Sequence, residues 1–479
     1  MWKDILQKHM ECGGFHAQLG LGDQIFADRL WKEIPMLKQW TSMSGKENRK
    51  NAPWTAKHEE DVSHAYFHYY TSHLDQPHLR EAFAQIPHIL SLDDHDIFDG
   101  FGSYPEYMQS SSMFKNIGRI GIEMYLLFQH HTTLEILRNV SNDQDLFTIT
   151  GTGWHFVKYL GPAVVVVGPD CRSERNPHQV MAGPTYQGLF PKVATLPSCV
   201  QHCIWMIPVP LIYPRLETAE QLSNAVATGK KAVTGTFNVL GRMTSTVAGV
   251  VGAKGMVGEG FNSVKKAVGK SGLMSGILSP FGELDILDEL RDQWTHESKD
   301  LERTYLIRTL QGIAHNKSLR MTILSGSVSC CGAGLVHDPS HPSDHKTMYQ
   351  IISSSVVNTP PSSYVLRMLH NNKALYIPAN GHRSHVGVVS DTKEDMMEIF
   401  TQDVDGRPRE MRRLMGRRNY VACVAYDPEI VNGTFGQTVP GHGGGRLSLA
   451  VDFMVQNEGV YGPPVKYGPV IIPSLEYGR

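Results

Sequence analysis

Two short acidic stretches carry the residues of this sequence that are best suited to chemistry. Asp93-Asp94-His95-Asp96 follows one apolar run, and Asp23 follows Gly22 at the end of another. Carboxylates beside a histidine can bind a hard or borderline metal ion, and the imidazole can serve as a general acid. Because a site for two metal ions needs carboxylates from different parts of the chain, the two stretches together predict a metal site. Either stretch alone could instead cap a helix or lie in a surface loop.

Two arginines follow a third apolar run, within Asp170-Cys-Arg172-Ser-Glu-Arg175. A guanidinium group can bind two phosphate oxygens at once, so Arg172 and Arg175 are candidate phosphate ligands. The alternative is a network of Arg–Glu ion pairs at the surface, and the residue types leave both interpretations open. The His-rich stretch 337–345 resembles a metal site less, because its prolines and small polar residues favour a solvent-exposed loop.

The elements that would position these residues are short apolar runs, each of which ends in polar residues. They are Ala17–Leu21, Ile86–Leu92, Ala163–Val167 and Leu319–Leu324. Runs of this kind indicate buried strands, and ligands gather at the carboxyl ends of strands in α/β sheets. We therefore expect one site shared by four strand ends.

Helical periodicity over about 284–315 leads directly into the fourth strand, which favours an α/β architecture. From about residue 418 the pattern changes to strands joined by glycine-rich turns, which predicts a β-rich C-terminal segment.

Composition limits the function classes. The chain has 479 residues, 41% of them hydrophobic and 19% charged, which indicates a globular protein with one large, interrupted domain or two domains. The formal net charge of −2 gives no field that favours nucleic acid, so we expect no nucleic-acid partner. Neither a signal peptide nor a membrane-spanning run is evident, which predicts a cytoplasmic protein. The seven cysteines have no regular spacing, so we expect most to be buried thiols.

The segment 222–280 differs from the rest of the chain. It is rich in Gly, Ala, Val, Thr and Lys, has almost no acidic residues, and keeps an apolar residue at helical steps. One interpretation is a flexible insertion. The other is an amphipathic helix that forms on an anionic membrane surface, which would make the protein a peripheral membrane protein.

At these residues the sequence resembles the PhoD-like phosphatases, especially the long fungal type, and the similarity covers nearly the whole chain in order. The matching stretches are Gly22–Asp28, Asp93–Tyr104, Asp170–Arg175, Pro208–Arg215, Asp288–Trp294, Leu324–Gly332, Asn358–Pro361 and Phe400–Pro408.

The resemblance implies a metallophosphoesterase-like β-sandwich flanked by helices. It also implies hydrolysis of a phosphoric ester by a metal-activated water, with divalent or trivalent ions such as Ca and Fe. In that scheme Asp23 bridges the metals and Asp94 binds the second metal. His95 stabilises the phosphoryl transition state or protonates the leaving oxygen.

Some positions depart from the family pattern. Ser327 and Ser329 stand where the family has an aspartate and a histidine, and Phe26 stands where it has a tyrosine. A neutral hydroxyl is a poor metal ligand, so an active hydrolase would need substitute donors such as His16 or Cys330-Cys331. The alternative is a pseudophosphatase that binds a phosphorylated ligand or a lipid surface.

We expect the PhoD-like domain to be interrupted along the chain. Its first part would cover 1–221, with an N-terminal strand of the family missing, and its second part 281–417. The basic insertion 222–280 would lie between them, and the β-rich segment 418–479 would follow.

Overall fold

A computed structural model of the chain describes residues 1–139, 145–215, 292–361, 363–370, 375–384, 387–432, 445–459 and 461–476. The predicted basic insertion 222–280 lies outside the described residues, as does the first part of the predicted helix 284–315.

The described residues form fifteen strands in three sheets. In chain order they are β1 (Gln18–Gly20), β2 (His88–Leu90), β3 (Leu146–Phe147), β4 (His155–Tyr159), β5 (Val164–Gly168), β6 (His202–Met206), β7 (Arg320–Ser325), β8 (Cys331–His337), β9 (Met348–Ser353), β10 (Leu375–Tyr376), β11 (Lys393–Met396), β12 (Leu414–Met415), β13 (Asn419–Tyr426), β14 (Ser448–Val455) and β15 (Val465–Ile472).

The helices of the described residues cluster in the N-terminal part of the chain. They are α1 (Trp2–Glu11), α2 (Leu30–Glu33), α3 (Pro35–Thr41), α4 (Lys46–Asn51), α5 (Ala56–Leu74), α6 (Pro77–Gln85), α7 (Glu106–Gln109), α8 (Ser112–Gln129), α9 (Leu134–Asn139), α10 (Gly183–Ala194), α11 (Asp300–Lys317), α12 (Ser363–His370) and α13 (Pro428–Asn432).

A ten-stranded mixed sheet forms the centre of the fold. Its order is β10-β11-β8-β9-β7-β6-β5-β4-β3, and β12 also pairs with β8. Strands β5, β6, β7 and β9 run parallel, whereas β4 and β8 are antiparallel to their neighbours β5 and β9. The four parallel strands are almost entirely buried, because both faces of the sheet are covered.

Alternating side chains of the central strands serve two separate cores. In β5, Val164 and Val166 belong to one apolar cluster, while Val165 and Val167 belong to the other. The second cluster packs the sheet against α10 and α11, through residues such as Leu189 and Leu310. This division follows from the two-residue period of a strand, and it explains the runs of consecutive apolar residues.

The other face of the large sheet packs against two smaller sheets and the N-terminal helices. One cluster joins Val166 of β5 to Phe453 and Val455 of β14, and also to Tyr66 of α5 and Ile117 of α8. The antiparallel sheet β13-β14-β15 and the parallel pair β1-β2 therefore contribute to a second sheet layer. The expected α/β fold, with a sandwich core, flanking helices and a C-terminal β-rich segment, is confirmed.

Polar contacts also connect the C-terminal sheet with the large sheet. The Asn419 side-chain amide donates to the carbonyl oxygen of Ser354 at 2.7 Å, and Arg320 donates to the carbonyl oxygen of Pro473 at 2.9 Å. The His202 Nε2 atom lies 2.7 Å from the Leu447 carbonyl oxygen. The described part of segment 418–479 thus packs on the core through apolar and polar contacts.

Two sequence predictions about secondary structure need correction. The strands β1 and β2 are three residues long and partly exposed, rather than fully buried, because they pair only with each other. The predicted continuous helix is interrupted before α11 begins at Asp300. There Arg215 Nε binds the Thr295 carbonyl oxygen at 2.6 Å, and the His296 side chain caps a short 3₁₀ turn.

Four of the seven cysteines are buried, as predicted: Cys171, Cys203, Cys330 and Cys331. Among the helices of the described residues, none is long and apolar enough to cross a membrane.

We predict that Phe453→Ala lowers the free energy of unfolding by about 3–5 kcal/mol, because Phe453 is fully buried between the sheet layers and truncation leaves a cavity. Chemical denaturation of the full chain measures this change. The matched control is Val424→Ala in β13, whose side chain is 60% exposed and whose truncation should cost no more than about 0.5 kcal/mol. Equal effects of both variants would contradict the packing of the C-terminal sheet.

Candidate active site

The candidate site lies where two parallel strands end side by side. Strand β1 pairs with β2 so that Gly20 lies opposite Leu90, and both strands continue into loops at the same end. Asp23 comes from the first loop, and Asp94 and His95 come from the second. One ligand atom from each of these three side chains lies within 4.8 Å of the others. The pairing therefore brings together the two acidic stretches that the sequence singled out.

The carboxylate of Asp96 ties the two loops to each other. It accepts backbone N–H groups from Asp23 at 3.0 Å and Gln24 at 2.8 Å in the first loop, and from Asp93 at 2.9 Å in the second. The Ile25 N–H at 3.3 Å and the Gln129 amide at 3.2 Å bring the number of donors to five. Burial raises the pKa of Asp96 to about 7, although the backbone hydrogen bonds oppose the shift. Asp96 thus has a structural role in assembling the site.

Glycine is required at position 22. Its φ angle is +94°, and a Cβ atom there would lie 2.4 Å from the Cβ atom of Asp93. The loops can approach this closely only without a side chain at that position. Asp23 itself has a φ of 56°, in the left-handed region, and its Oδ1 atom accepts the His95 N–H at 3.1 Å.

The carboxylates at the site are crowded and buried. Burial raises the pKa of Asp23 well above its ordinary value, and the charges of Asp93 and Asp94 raise it further. Burial also disfavours the charge of Asp94, but Arg172 and His95 hold its pKa below the usual range. The Gly100 N–H group binds Asp94 Oδ2 at 2.8 Å. A cation between Asp23 and Asp94 would relieve their repulsion.

His95 is held by a second carboxylate, that of Asp28. The Nδ1 atom of His95 lies 2.7 Å from Asp28 Oδ2, and Nε2 lies 3.8 Å from Asp99 Oδ1. Burial opposes a positive charge on the ring, but Asp94, Asp23 and Asp28 together raise the pKa of His95 well above its ordinary value. A role for Asp28 could not be predicted from the sequence, because its partner lies 67 residues further along the chain.

Phe26 covers one side of the histidine. The ring centroids of Phe26 and His95 are 4.3 Å apart at an angle of 34°. The Phe26 side chain is 39% exposed and offers no atom that could bind a metal ion. At this position the chain thus supplies an aromatic contact to His95.

The two candidate arginines lie behind the site in a buried ion-pair network. Arg172 is fully buried, and its Nε atom binds Asp93 Oδ1 at 2.6 Å. Its two terminal nitrogens bind the two carboxylate oxygens of Asp292, each at 2.6 Å. Arg175 donates to Cys171 and to Asp292. Direct phosphate binding by these arginines stays a prediction, and it would require these bonds to be exchanged.

Asp292 is a residue that the sequence analysis did not identify, although it lies inside the matching stretch Asp288–Trp294. Its Oδ1 atom also accepts the Ser103 hydroxyl at 2.6 Å. Burial disfavours its charge, but Arg172 and Arg175 hold the pKa of Asp292 well below its usual range. The arginine network is therefore buried, unlike the surface network that the sequence analysis left open.

The turn Ser325–Ser329 lies beside the first loop. A Cβ atom on Gly326 would lie 3.3 Å from the carbonyl oxygen of Leu21, two residues before Asp23. Ser327 and Ser329 have φ angles of 64° and 51°, in the left-handed region. The Asn358 amide donates to Ser329 Oγ at 3.4 Å. The turn that departs from the family pattern thus packs against the start of the loop that carries Asp23, and its two serines offer neutral hydroxyls.

The substitute ligands considered from the sequence do not join the three-residue cluster. The thiols of Cys330 and Cys331 are fully buried, and burial raises the pKa of Cys330 to about 12 and that of Cys331 further. Such thiols stay protonated, whereas metals bind the thiolate. His16 is exposed. Among the described residues, the potential ligands at this site are Asp23, Asp94 and His95.

A second group of potential ligands lies in the His-rich stretch. Asp338, His341 and Asp344 place one ligand atom each within 4.8 Å of one another. However, Lys346 Nζ lies 3.1 Å from Asp338 Oδ2 and 2.9 Å from Asp391 Oδ2. Since a lysine already compensates these carboxylates, the group at β1 and β2 is the stronger candidate.

A comparison with known proteins assigns the whole chain to a family. Residues 1–479 match the PhoD related phosphatases. The chain belongs to this family. It is 26% identical over 474 residues to an uncharacterised Saccharomyces cerevisiae protein, YGR266W, with 88% of this chain and 61% of the yeast protein covered. The chain therefore spans less than two thirds of the length of that relative.

A solved structure of PhoD is also similar. It has 13% sequence identity and a TM-score of 0.43, over 97% of this chain and 68% of the PhoD chain. PhoD phosphatases are metal-dependent, and the donor set of Asp23, Asp94 and His95 fits one hard or borderline cation. The described residues of the site could therefore hold one such ion.

We predict that Asp28→Asn lowers the pKa of His95 by about 1–3 pH units, because it removes the nearest opposite charge from the ring. His95 would then lose its proton at a lower pH than in the wild type. NMR titration of the metal-free protein measures this pKa. Asp75→Asn, which disrupts an exposed pair with Arg80, is the control and should leave the titration unchanged. An unchanged His95 pKa in Asp28→Asn would refute the pairing.

Proposed function

We propose that the protein is a metal-dependent hydrolase of phosphoric esters that works at a cation held by Asp23 and Asp94. The observation that supports this most directly is the convergence of two carboxylates and an imidazole, from neighbouring strand ends, within 4.8 Å. A bound divalent cation would supply Lewis-acid polarisation of a phosphoryl oxygen. In the part of the chain that the structure describes, the lysine or arginine nearest to Asp94 is Arg172, and its terminal nitrogen stays 3.7 Å from Asp94 Oδ1.

His95 is proposed as the proton donor to the leaving oxygen. Its bond to Asp28 fixes the ring and uses Nδ1, so Nε2 is the atom available to a substrate. The neighbouring carboxylates favour the protonated ring, which is the form a general acid needs. A metal ligand must instead be neutral, so His95 can fill only one of the two roles at a time.

The backbone contributes to the preorganisation of the site. Asp96 fixes the loop that carries Asp23, and the Gly100 N–H fixes one oxygen of Asp94. Because these bonds are buried and charge-assisted, they hold the two ligand carboxylates in place before a cation arrives. Carboxylate oxygens suit Mg, Ca and Mn, while an imidazole also suits Fe and Zn. We expect the ions at this site to be Ca and Fe, which the resemblance to the family implies.

A second candidate function is the binding of a phosphorylated ligand without hydrolysis. It is favoured by the neutral side chains of Ser327, Ser329 and Phe26, which stand where the family has further ligands. A second cation would therefore find few donors, and a two-metal mechanism would lose one of its ions. A single cation could still hold a phosphate group.

We predict that Asp94→Asn and His95→Asn separate metal binding from chemistry. Asp94→Asn should lose both bound metal and hydrolysis of an aryl phosphate. His95→Asn should retain the metal, while turnover falls by about 10²–10⁴-fold through loss of the general acid. Elemental analysis of protein purified without chelator, alongside a phosphatase assay, gives both quantities. Asp61→Asn, in a surface pair with Lys57, is the control that should retain both.

The outcomes discriminate between the two functions. Metal loss in both variants would make His95 a ligand instead of a proton donor. A folded wild-type protein that binds metal and an aryl phosphonate, but hydrolyses no ester, would favour the binding protein. A wild type with neither metal nor turnover would refute the hydrolase.

Binding to an anionic membrane surface is a further proposal, and it rests on the sequence of residues 222–280 alone. The lysines of this segment would attract anionic lipid, because few acidic residues offset their positive charge. We predict that the full chain sediments with phosphatidylserine vesicles, that deletion of 222–280 abolishes this, and that about 0.5 M salt weakens it. Neutral vesicles are the control. Equal sedimentation of both proteins would contradict the proposal.

A further inference from the structure

Three carboxylates share the guanidinium group of Arg172. Asp93 Oδ1 binds Nε at 2.6 Å, and Asp292 binds both terminal nitrogens, each at 2.6 Å. Asp94 Oδ1 lies 3.7 Å from the nearer terminal nitrogen, which is beyond hydrogen-bonding distance. Asp292 is thus the strongest partner of Arg172, and the candidate metal ligand Asp94 is the weakest.

The position of Asp292 is tightly determined. In addition to Arg172, its Oδ1 atom accepts from Arg175 at 3.1 Å and from Ser103 at 2.6 Å, and its carbonyl oxygen accepts from Arg175 at 2.8 Å. The residue is only 7% exposed. A carboxylate with this many donors is rigid, so it holds the guanidinium of Arg172 in one orientation.

This orientation leaves one oxygen of Asp94 available. Asp94 Oδ2 is bound by the Gly100 N–H, while Oδ1 receives no hydrogen bond from Arg172. If Asp292 lost its charge, that terminal nitrogen would still face the negative charge of Asp94, whose Oδ1 atom lies 3.7 Å away. Arg172 would then compete directly with a cation for this oxygen.

The charges of the neighbouring side chains also indicate that Asp292 favours a cation at the site. Arg172 and Arg175 place two positive charges beside a site that must attract a cation, and Asp292 contacts both. Without the negative charge of Asp292, the potential at Asp23, Asp94 and His95 would become more positive. A divalent ion feels such a change twice as strongly as a monovalent one.

We propose that Asp292 is a positioning residue for the candidate metal centre, which it supports by binding Arg172 and thereby keeping Asp94 Oδ1 free for a cation. This inference rests on the proposed function, since it assumes that Asp94 binds a metal ion. Asp292 thereby gains a role that could not be predicted from the sequence.

The test measures Mn²⁺ affinity of the metal-free full chain by calorimetry, with no substrate present. Asp292→Asn should weaken Mn²⁺ binding about 10–100-fold, as is usual when a partner of a metal ligand is removed. The matched control is Asp300→Asn, which breaks another buried pair, with Arg215 at 2.8 Å. It should lower the melting temperature without changing Mn²⁺ affinity by more than about threefold.

A double variant separates a positioning role from a purely structural one. In Asp292→Asn with Arg172→Gln, the competing charge is gone, so Mn²⁺ affinity should recover to within about threefold of the wild type. A purely structural role predicts weaker binding in the double variant than in either single variant. Should Asp292→Asn fail to fold, Ser103→Ala removes one hydrogen bond to Asp292 and should weaken Mn²⁺ binding in the same direction.

Unchanged affinity in Asp292→Asn, or a double variant as weak as the single one, would overturn the inference. A wild type that binds Mn²⁺ but hydrolyses no phosphate ester would remove the proposed function and leave the role of Asp292 standing. A wild type that binds no Mn²⁺ would overturn both.

Discussion

The candidate site depends on one buried carboxylate, that of Asp96. It binds backbone N–H groups of the loop after β1 and of the loop after β2, and it is therefore what fixes the two loops relative to each other. Strands β1 and β2 are only three residues long, so strand pairing alone would position these loops poorly. With Asp96 in place, Gly22 can pass close to Asp93, and Asp23 comes to face Asp94.

This arrangement crowds several acidic groups together, and cationic side chains compensate their negative charges unevenly. On the buried side, Arg172 compensates Asp93 and Asp292, whereas Asp23 on the other side keeps a strongly raised pKa because burial and two neighbouring carboxylates disfavour its charge. This asymmetry is what makes the Asp23 side suited to a cation.

Much of the architecture could be predicted from local sequence. The apolar runs before Asp23 and Asp94 are strands, and their polar ends meet because β1 and β2 are parallel neighbours. The run before Arg172 is also a strand, β5 of the large sheet, and Arg172 meets the site through its bond to Asp93. The pairing of His95 with Asp28, and that of Arg172 with Asp292, could not be predicted in this way. These partners are 67 and 120 residues apart, and only the packed fold decides which carboxylate each cation meets. For the same reason, residue types alone could not decide whether Arg172 binds phosphate or a buried aspartate.

The buried arginines also join parts of the protein that are far apart in sequence. Arg215 is the last described residue before 216–291, and it binds Thr295 and Asp300 just after that segment, while Asp292 is held by Arg172 and Arg175. The described residues that flank 216–291 are thus held next to each other by buried polar contacts. The core itself therefore brings the chain back to the place that it left at Arg215.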